Sequence, residues 1–229
     1  SEMCIRDRCS FFDDLSSLKN CVMNALRNCE ENSNLLGWVR ASDAIGDFTY
    51  PYVLENQEFC MEYISTTVIK YTKKLYIRML ADGIQYYTDR YSWNAGGTIT
   101  KSLKNKNQLI VDEFSDGAFQ AYTVRLEEAS QKGKIYIIDA EFFIDGCNYV
   151  EHQYLGLTNS FPVRNLTLCV RVANNLKLLE CKYNMYGHSV DRVPKISKVI
   201  KPKSGIIEHT FKNLVIGERY NLEWRVVKK

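Results

Sequence analysis

The sequence has little of what the common catalytic and metal sites need. It contains only three histidines and four prolines in 229 residues. His152, His188 and His209 do not form the His-Glu-x-x-His spacing that binds catalytic zinc. No glycine-rich phosphate loop, no Gly-x-Ser-x-Gly elbow and no Cys-x-x-Cys pair occurs. We therefore predict no metal and no cofactor, and we favour a protein that is not an enzyme.

Long apolar runs are also missing, and positive charge is modest. No run approaches the roughly 18 apolar residues of a membrane helix, so we predict no membrane span. The net charge is +3. The two lysine-rich stretches, at 101–106 and 195–203, have no interleaved aromatic residues, so we predict no nucleic-acid partner. The second alternates lysine with Ile196 and Val199, which favours a lysine-protected edge strand.

The N-terminal part of the chain divides into two segments. Residues 1–8 read Ser-Glu-Met-Cys-Ile-Arg-Asp-Arg, which resembles the conceptual translation of a transposase adapter used in sequencing libraries. We interpret them as an artefact and leave them out of the fold prediction. In residues 9–37, apolar side chains recur at spacings of three and four, from Phe11 to Cys29. This period predicts one amphipathic helix packed on the body of the protein.

From Trp38 onward the pattern is that of β-structure. Fifteen tyrosines and ten phenylalanines favour half-buried pleated surfaces. Alternation predicts strands at 59–69, 74–79, 84–88, 109–114, 118–126, 135–144 and 149–157. Asp82-Gly83 and Asp116-Gly117 predict hairpin turns. We therefore predict a mainly β, antiparallel, sandwich-like fold with one N-terminal helix, in which residues 38–157 form a β domain.

Residues 158–229 are predicted to form a further β-sandwich-like layer or domain. Segments 166–172 and 176–183 alternate on either side of Asn174-Asn175, a pair that suits a tight hairpin turn. A two-residue loop would place Cys169 and Cys181 on opposite faces. A three-residue loop would place them opposite one another and allow a disulfide.

The C-terminus carries the most specific pattern. Leu214, Gly217 and Tyr220 have the spacing Leu-x-x-Gly-x-x-Tyr, and a strict apolar alternation follows. This resembles the corner before a late strand in fibronectin type III and transthyretin-like sandwiches, closely over about sixteen residues and loosely over roughly the last seventy. The resemblance implies that the glycine makes the turn, that the tyrosine closes the end of the sandwich, and that the scaffold serves binding.

Six of the eight cysteines lie in the body and are candidates for disulfides: Cys21, Cys29, Cys60, Cys147, Cys169 and Cys181. One glycosylation sequon begins at Asn165. Together these features favour a secreted or extracellular protein.

Two groups of residues are candidates for function. Asp139 and Glu141 share one face of a predicted strand, and paired carboxylates are typical of glycosidases, although a solvent-facing acidic row opposite apolar residues explains the same pattern. The other group is an aromatic cluster whose exposed rings could stack on a ligand or whose buried rings could close a sheet edge. Its members are Tyr86, Tyr87, Arg90, Tyr91 and Trp93.

Three functions follow from these patterns. The leading hypothesis is a noncatalytic β-sandwich binding or interaction module that recognises a protein or carbohydrate partner through the aromatic cluster. The first alternative is a carbohydrate-active hydrolase that uses Asp139 and Glu141. The second alternative is a structural or assembly subunit, such as a coat or appendage protein.

Overall fold

All the regular structure in the described part of the chain is β-strand. The computed structural model describes residues 50–93, 95–116, 119–148, 152–188 and 191–229, and these contain thirteen strands and no helix. The strands are β1 (Tyr52–Tyr63), β2 (Val68–Met79), β3 (Tyr86–Ser92), β4 (Thr98–Leu103), β5 (Leu109–Asp116), β6 (Phe119–Arg125), β7 (Ile135–Asp145), β8 (His152–Thr158), β9 (Val163–Val172), β10 (Leu176–Tyr186), β11 (Ile196–Val199), β12 (Ile206–Lys212) and β13 (Arg219–Lys228). The predicted mainly β class is confirmed. The adapter-like segment 1–8 and the predicted helix within 9–37 lie outside the described residues.

The strands form three sheets. The largest has the order β12-β9-β1-β2-β7-β4, the second β11-β10-β13-β8 and the third β3-β6-β5. Neighbouring strands are antiparallel except β1 and β9, which are parallel. Strands from before and after residue 158 share sheets, because β9 and β12 extend the sheet of β1 and β8 pairs with β13. Among the residues described, no helix has the length and apolarity to cross a membrane.

The core lies between the inner faces of these sheets. Alternation on β2 buries one set of side chains, including Tyr71, Leu75 and Ile77, and leaves Lys70 and Lys74 on the outer face. Each fully buried apolar side chain of this size contributes about 1.5–3 kcal/mol relative to exposure. Side chains on β7 and β13 also alternate between the inner and the outer face. The inner faces form one continuous cluster of buried residues.

Several predicted strands and one predicted hairpin are confirmed. The predicted strand 135–144 corresponds to β7, and the described part of 149–157 belongs to β8. β5 and β6 pair antiparallel, as the predicted hairpin requires, while residues 117 and 118 lie outside the described residues. The hairpin predicted at Asp82-Gly83 is wrong. β2 pairs with β1 and β7, whereas β3 pairs with β6 in another sheet. A residue pair that permits a tight turn does not determine which strands pair, and here the long apolar strand β7 takes the place beside β2.

The hairpin predicted around Asn174-Asn175 is also wrong. β9 lies between β1 and β12, and β10 lies between β11 and β13. Residues 173–175 therefore connect two sheets, and the Ala173 N–H donates to the Tyr63 carbonyl. Cys169 and Cys181 consequently belong to different sheets, so neither loop length brings them together.

Two other C-terminal predictions have a clear structural outcome. The lysine-rich segment 195–203 contains β11, which is an edge strand of the four-stranded sheet, as predicted. At the corner before β13, Gly217 has a φ of 90°, and Tyr220 is buried. The Tyr220 hydroxyl accepts a hydrogen bond from the Val215 N–H at 2.9 Å and donates one to Glu218 at 2.7 Å. The corner is therefore held by a buried side chain as well as by its backbone.

Candidate functional site

An aromatic pocket of about 180 Å³ opens between the inner side of the largest sheet and strands β3 and β8. Typical ligand pockets enclose about 300–1,000 Å³, while a cavity of about 150 Å³ accepts one benzene ring. The pocket is therefore of a size for one ring. Its walls and mouth include Tyr71, Tyr91, Trp93, Phe142 and Tyr154.

The sequence-predicted aromatic cluster is divided in the structure. Tyr91 and Trp93 line the aromatic pocket, and Arg90 contributes to its lining. Tyr87 is buried in the core, where its ring lies 5.3 Å from that of Tyr52. Tyr86 is 54% exposed and lies outside the pocket. Three of the five predicted ligand-binding residues thus come together, and two do not.

Tyr91 brings a hydroxyl group into the pocket wall without a partner for it. Its ring packs against Phe142 at 4.8 Å between centroids and against Tyr122 at 6.3 Å. Among the residues described, no hydrogen-bond partner reaches the buried hydroxyl oxygen. Burial, assisted by the charge of Glu113, raises the pKa of Tyr91 to about 12, so the hydroxyl stays protonated. It is a neutral group that its neighbours cover in this structure.

Trp93 is held in place by the turn that follows β3. Its Nε1 donates a hydrogen bond of 2.6 Å to the Gly96 carbonyl. The turn is tight because Gly97, with a φ of 88°, approaches the end of β7. A Cβ at Gly97 would lie 2.7 Å from the Asp145 carbonyl oxygen. The indole ring is therefore positioned by backbone geometry at the mouth of the aromatic pocket.

A buried ion pair lies beside the pocket. Lys73 Nζ donates to Asp89 Oδ1 at 2.7 Å and to the Arg90 carbonyl at 2.9 Å. Asp89 Oδ2 accepts a hydrogen bond from the Tyr122 hydroxyl at 2.7 Å. Each charge is thus paired and hydrogen-bonded, as burial requires. Neither side chain is left as a free acid or base for catalysis.

Tyr154 is the pocket residue that sequence reasoning missed. It lies on β8, is 65% exposed and borders the mouth of the aromatic pocket. The strand was predicted, but nothing in the sequence places it next to Trp93. Behind it, Gly156 packs against β13 so closely that a Cβ would lie 2.1 Å from Asn221 Oδ1. Only the contact between β8 and β13 determines where the ring of Tyr154 lies.

The candidate acids lie on the opposite side of the largest sheet. On β7, Ala140 and Phe142 face the core, while Asp139 and Glu141 lie on the outer face. Glu141 pairs with Lys70 at 2.7 Å, and Asp139 pairs with Lys104 at 3.3 Å. The structure therefore brings the two carboxylates to a charged surface and not to the aromatic pocket.

The four described cysteines are free thiols. Cys147 and Cys181 are buried and lie apart, whereas Cys60 and Cys169 are neighbours across β1 and β9. Cys21 and Cys29 are outside the described residues. The sequon residue Asn165 lies within β9, and its Nδ2 donates to the Glu55 carbonyl at 3.2 Å.

Comparison with known proteins finds likeness only among solved structures. No family model and no curated protein matches the chain. The chain is similar to an M1 zinc metallopeptidase from Deinococcus radiodurans, with a TM-score of 0.41 and 10% identity over 77% of this chain and 43% of that one. It is also similar to yeast LTA4 hydrolase in complex with bestatin, with a TM-score of 0.39 and 9% identity over 85% of this chain and 32% of that one. The chain spans less than half of either protein, and likenesses this weak carry no argument about function.

Proposed function

We propose that the protein is a noncatalytic binding module that holds one sugar ring of a carbohydrate partner in the aromatic pocket. The observation that carries this proposal is the convergence of Tyr91, Trp93 and Tyr154 around a space of about 180 Å³. The three rings come from two separate strands and one turn. The lining also includes the exposed polar residues Arg90 and Ser92.

A sugar fits this chemistry because it has an apolar face of C–H groups and a rim of hydroxyls. The aromatic rings at the mouth offer flat surfaces for the apolar face. Arg90 and Ser92 can bond sugar hydroxyls, and a hydrogen bond contributes about 0.5–1.5 kcal/mol. Lys73 in the lining is paired with Asp89, which lowers the positive charge that the pocket presents to a ligand.

A binding role is favoured over hydrolysis by the placement of the carboxylates. Asp139 and Glu141 are each engaged by a lysine, on the side of the sheet away from the rings. A glycosidase needs one carboxyl group that stays protonated beside the bound sugar. No carboxyl group among the described lining residues of the aromatic pocket meets that need.

Titration with monosaccharides tests the proposal. Glucose, galactose, mannose and N-acetylglucosamine would be added to the full chain, and binding would be followed by ligand-observed NMR and calorimetry. We expect one of them to bind, and Tyr154→Ala to weaken its Kd about tenfold, which corresponds to about 1.4 kcal/mol of lost ring contact. Tyr154 is mostly exposed, so this change leaves the core intact.

Tyr86→Ala is the matched control, because it removes an exposed tyrosine outside the pocket. Its Kd should equal that of the unchanged protein. Binding that is equally weak in both variants, or no binding of any of the four sugars, would contradict the proposal. Release of reducing sugar from an oligosaccharide, lost in Glu141→Gln, would establish the hydrolase alternative instead.

A further inference from the structure

The outer face of the largest sheet carries a pair of cysteines in register. Three parallel rows of side chains cross this face, and the middle row runs Glu208, Cys169, Cys60, Thr72 and Glu141. The two cysteines are adjacent within that row. Leu168, Val170 and Phe59, their chain neighbours, all point into the core. The thiols are therefore directed toward the charged surface.

The register allows the two sulfurs to bond. Neighbouring strands lie about 4.8 Å apart, and the Cα atoms of a disulfide lie about 4.4–6.8 Å apart. Cys60 and Cys169 are paired on the parallel strands β1 and β9, with both side chains on the same face. A disulfide can thus close between them by rotation of the side chains, without any shift of the strands.

The two thiols are not equivalent. The Cys60 thiol donates a hydrogen bond to the sulfur of Cys169, and the guanidinium group of Arg171 lies close enough to bond the same sulfur. The bond from Cys60 lowers the pKa of Cys169, and the positive charge of Arg171 lowers it further, against the opposing effects of burial and Glu208. The same hydrogen bond raises the pKa of Cys60. Cys169 therefore has the lower pKa of the two thiols and ionises first.

Access to the pair suits a small reactant. Both cysteines line a broad polar depression of about 570 Å³ on the outer face of the sheet. Cys169 is only 4% exposed. Cys169 is thus nearly covered, which favours a reactant of the size of hydrogen peroxide over a bulky disulfide.

We propose that Cys169 and Cys60 form a redox site in which Cys169 reduces a small hydroperoxide and Cys60 then closes a disulfide. In the first step the Cys169 sulfur attacks the terminal oxygen, an S–O bond forms, the O–O bond breaks, and the leaving oxygen takes a proton from water. In the second step the Cys60 sulfur attacks Cys169, the S–S bond forms, the S–O bond breaks, and water departs with the Cys60 proton. The hydroperoxide gains two electrons, and the two thiols lose them. An external thiol reductant restores the pair.

The pair is better suited to this chemistry than to holding a metal. In the residues that the structure describes, no three His, Cys, Asp or Glu side chains converge as a metal site. Glu208 and Glu62 lie near the thiols, but Arg171 lies between them as a competing positive charge. That charge repels a cation and attracts the developing negative charge of the leaving oxygen.

Peptide mapping after hydrogen peroxide treatment tests the proposal. The full chain would be reduced, treated with sub-stoichiometric peroxide, alkylated in denaturant and digested with trypsin. Trypsin separates the thiols, because Cys60 falls in residues 41–70 and Cys169 in residues 165–171, each with no second cysteine. We expect these two peptides to become cross-linked, with loss of two hydrogens. The peptides 135–164 and 178–182, which carry Cys147 and Cys181, should remain alkylated.

Single variants assign the roles. In Cys60→Ser the disulfide cannot close, so dimedone should trap a sulfenic acid on Cys169. Arg171→Gln should slow oxidation roughly tenfold by reducing the thiolate fraction, while Lys212→Gln, which removes a positive charge from the neighbouring strand, should not slow it. Circular dichroism would verify that each variant is folded. Oxidation of Cys169 no faster than that of Cys181, or absence of the cross-link in the folded protein, would overturn the proposal.

Discussion

At the scale of single residues, Lys73 is a charged side chain at a position that strand alternation buries. The alternation of β2 places it on the buried face, between Tyr71 and Leu75. A buried ammonium group is stable only if it is paired and hydrogen-bonded. Asp89 supplies the pair, the Arg90 carbonyl supplies a second acceptor, and the Phe59 ring lies 4.8 Å from the charge. The predicted strands, 59–69 and 74–79, leave Lys73 out, and its acceptors come from β3 in another sheet.

Lys73→Met should therefore destabilise the protein strongly. It leaves Asp89 buried with only the Tyr122 hydroxyl as a partner, and an uncompensated buried charge costs about 3–5 kcal/mol. Urea denaturation at neutral pH measures the change. Adding Asp89→Leu to the same chain should recover much of the loss, because the unpaired charge is removed. A cost below about 1 kcal/mol for the single variant would show that the pair does not matter for stability.

His209 makes stability depend on pH. Its ring stacks on Tyr183 at 3.7 Å and contacts Phe211 at 4.6 Å. Burial, together with the positive charge of Lys198, lowers the pKa of His209 below 6.5. The unfolded chain therefore binds a proton more readily than the folded one. Stability from the neutral ring is fully present above pH 6.5 and is lost as the pH falls below that value.

His209→Phe should remove this dependence while keeping the stack. We expect the urea midpoint of the unchanged protein to fall more steeply between neutral and mildly acidic pH than that of the variant. His188→Phe is the control, because His188 is exposed and makes no ring stack with the described residues. Equal pH profiles for all three proteins would contradict the prediction.

At the scale of elements, two tight turns that look alike in the sequence differ in how closely they pack. Gly83 and Gly97 both have positive φ, 81° and 88°, and both follow turn-forming sequences. A Cβ at Gly83 would meet nothing within 4 Å, whereas one at Gly97 would lie 2.7 Å from the Asp145 carbonyl and 2.9 Å from the Cys147 nitrogen. The sequence predicts a turn at both glycines and gives no sign of the difference in packing. Only the approach of β4 to the end of β7 distinguishes them.

The pair Gly97→Ala and Gly83→Ala measures that difference. Gly83→Ala should cost about 1–2 kcal/mol, which is the backbone penalty of the left-handed region. Gly97→Ala should cost clearly more, because backbone atoms must also move apart. It should weaken sugar binding as well, since the turn positions Trp93. Denaturation and calorimetry on both variants test this, and equal costs would show that the close approach is relaxed in solution.

Strand positions and strand pairing differ in how well the sequence predicts them. Alternation predicted β7, β8 and the β5–β6 pair, because each depends on neighbours in the chain. The hairpins predicted at Asp82-Gly83 and Asn174-Asn175 are absent because other strands pair with β2 and β9. β2 pairs with the preceding strand β1 and with the distant β7, and β9 pairs with β1 and β12. A favourable turn sequence contributes less stability than the burial that the two partners of β9 provide.

At the scale of the whole molecule, residues 50–229 form one compact unit. Two segments, 38–157 and 158–229, were predicted from the sequence. Both contribute strands to the same sheets, since β9 pairs with β1 and β8 pairs with β13. Removal of either segment would leave a sheet without its neighbours. Loss of packing in one sheet should therefore disrupt the others.

We expect the described unit to unfold in a single transition. Amide exchange in β1 and in β9 should show the same global opening free energy, because the two strands share hydrogen bonds along their length. Hydrogen exchange read by mass spectrometry across a urea series measures this. Two separate openings, with residues 158–229 exchanging first, would instead support an independent C-terminal domain.

The sequence by itself determined the mainly β class, several strands such as β7, and the residue types available for chemistry. It did so because period-two alternation and aromatic content act locally along the chain. The tertiary structure alone decided which strands pair, that Tyr154 joins Tyr91 and Trp93 at one pocket, and that Cys60 faces Cys169. Those outcomes depend on contacts between residues far apart in sequence, and such contacts are selected by the total burial of all three sheets together.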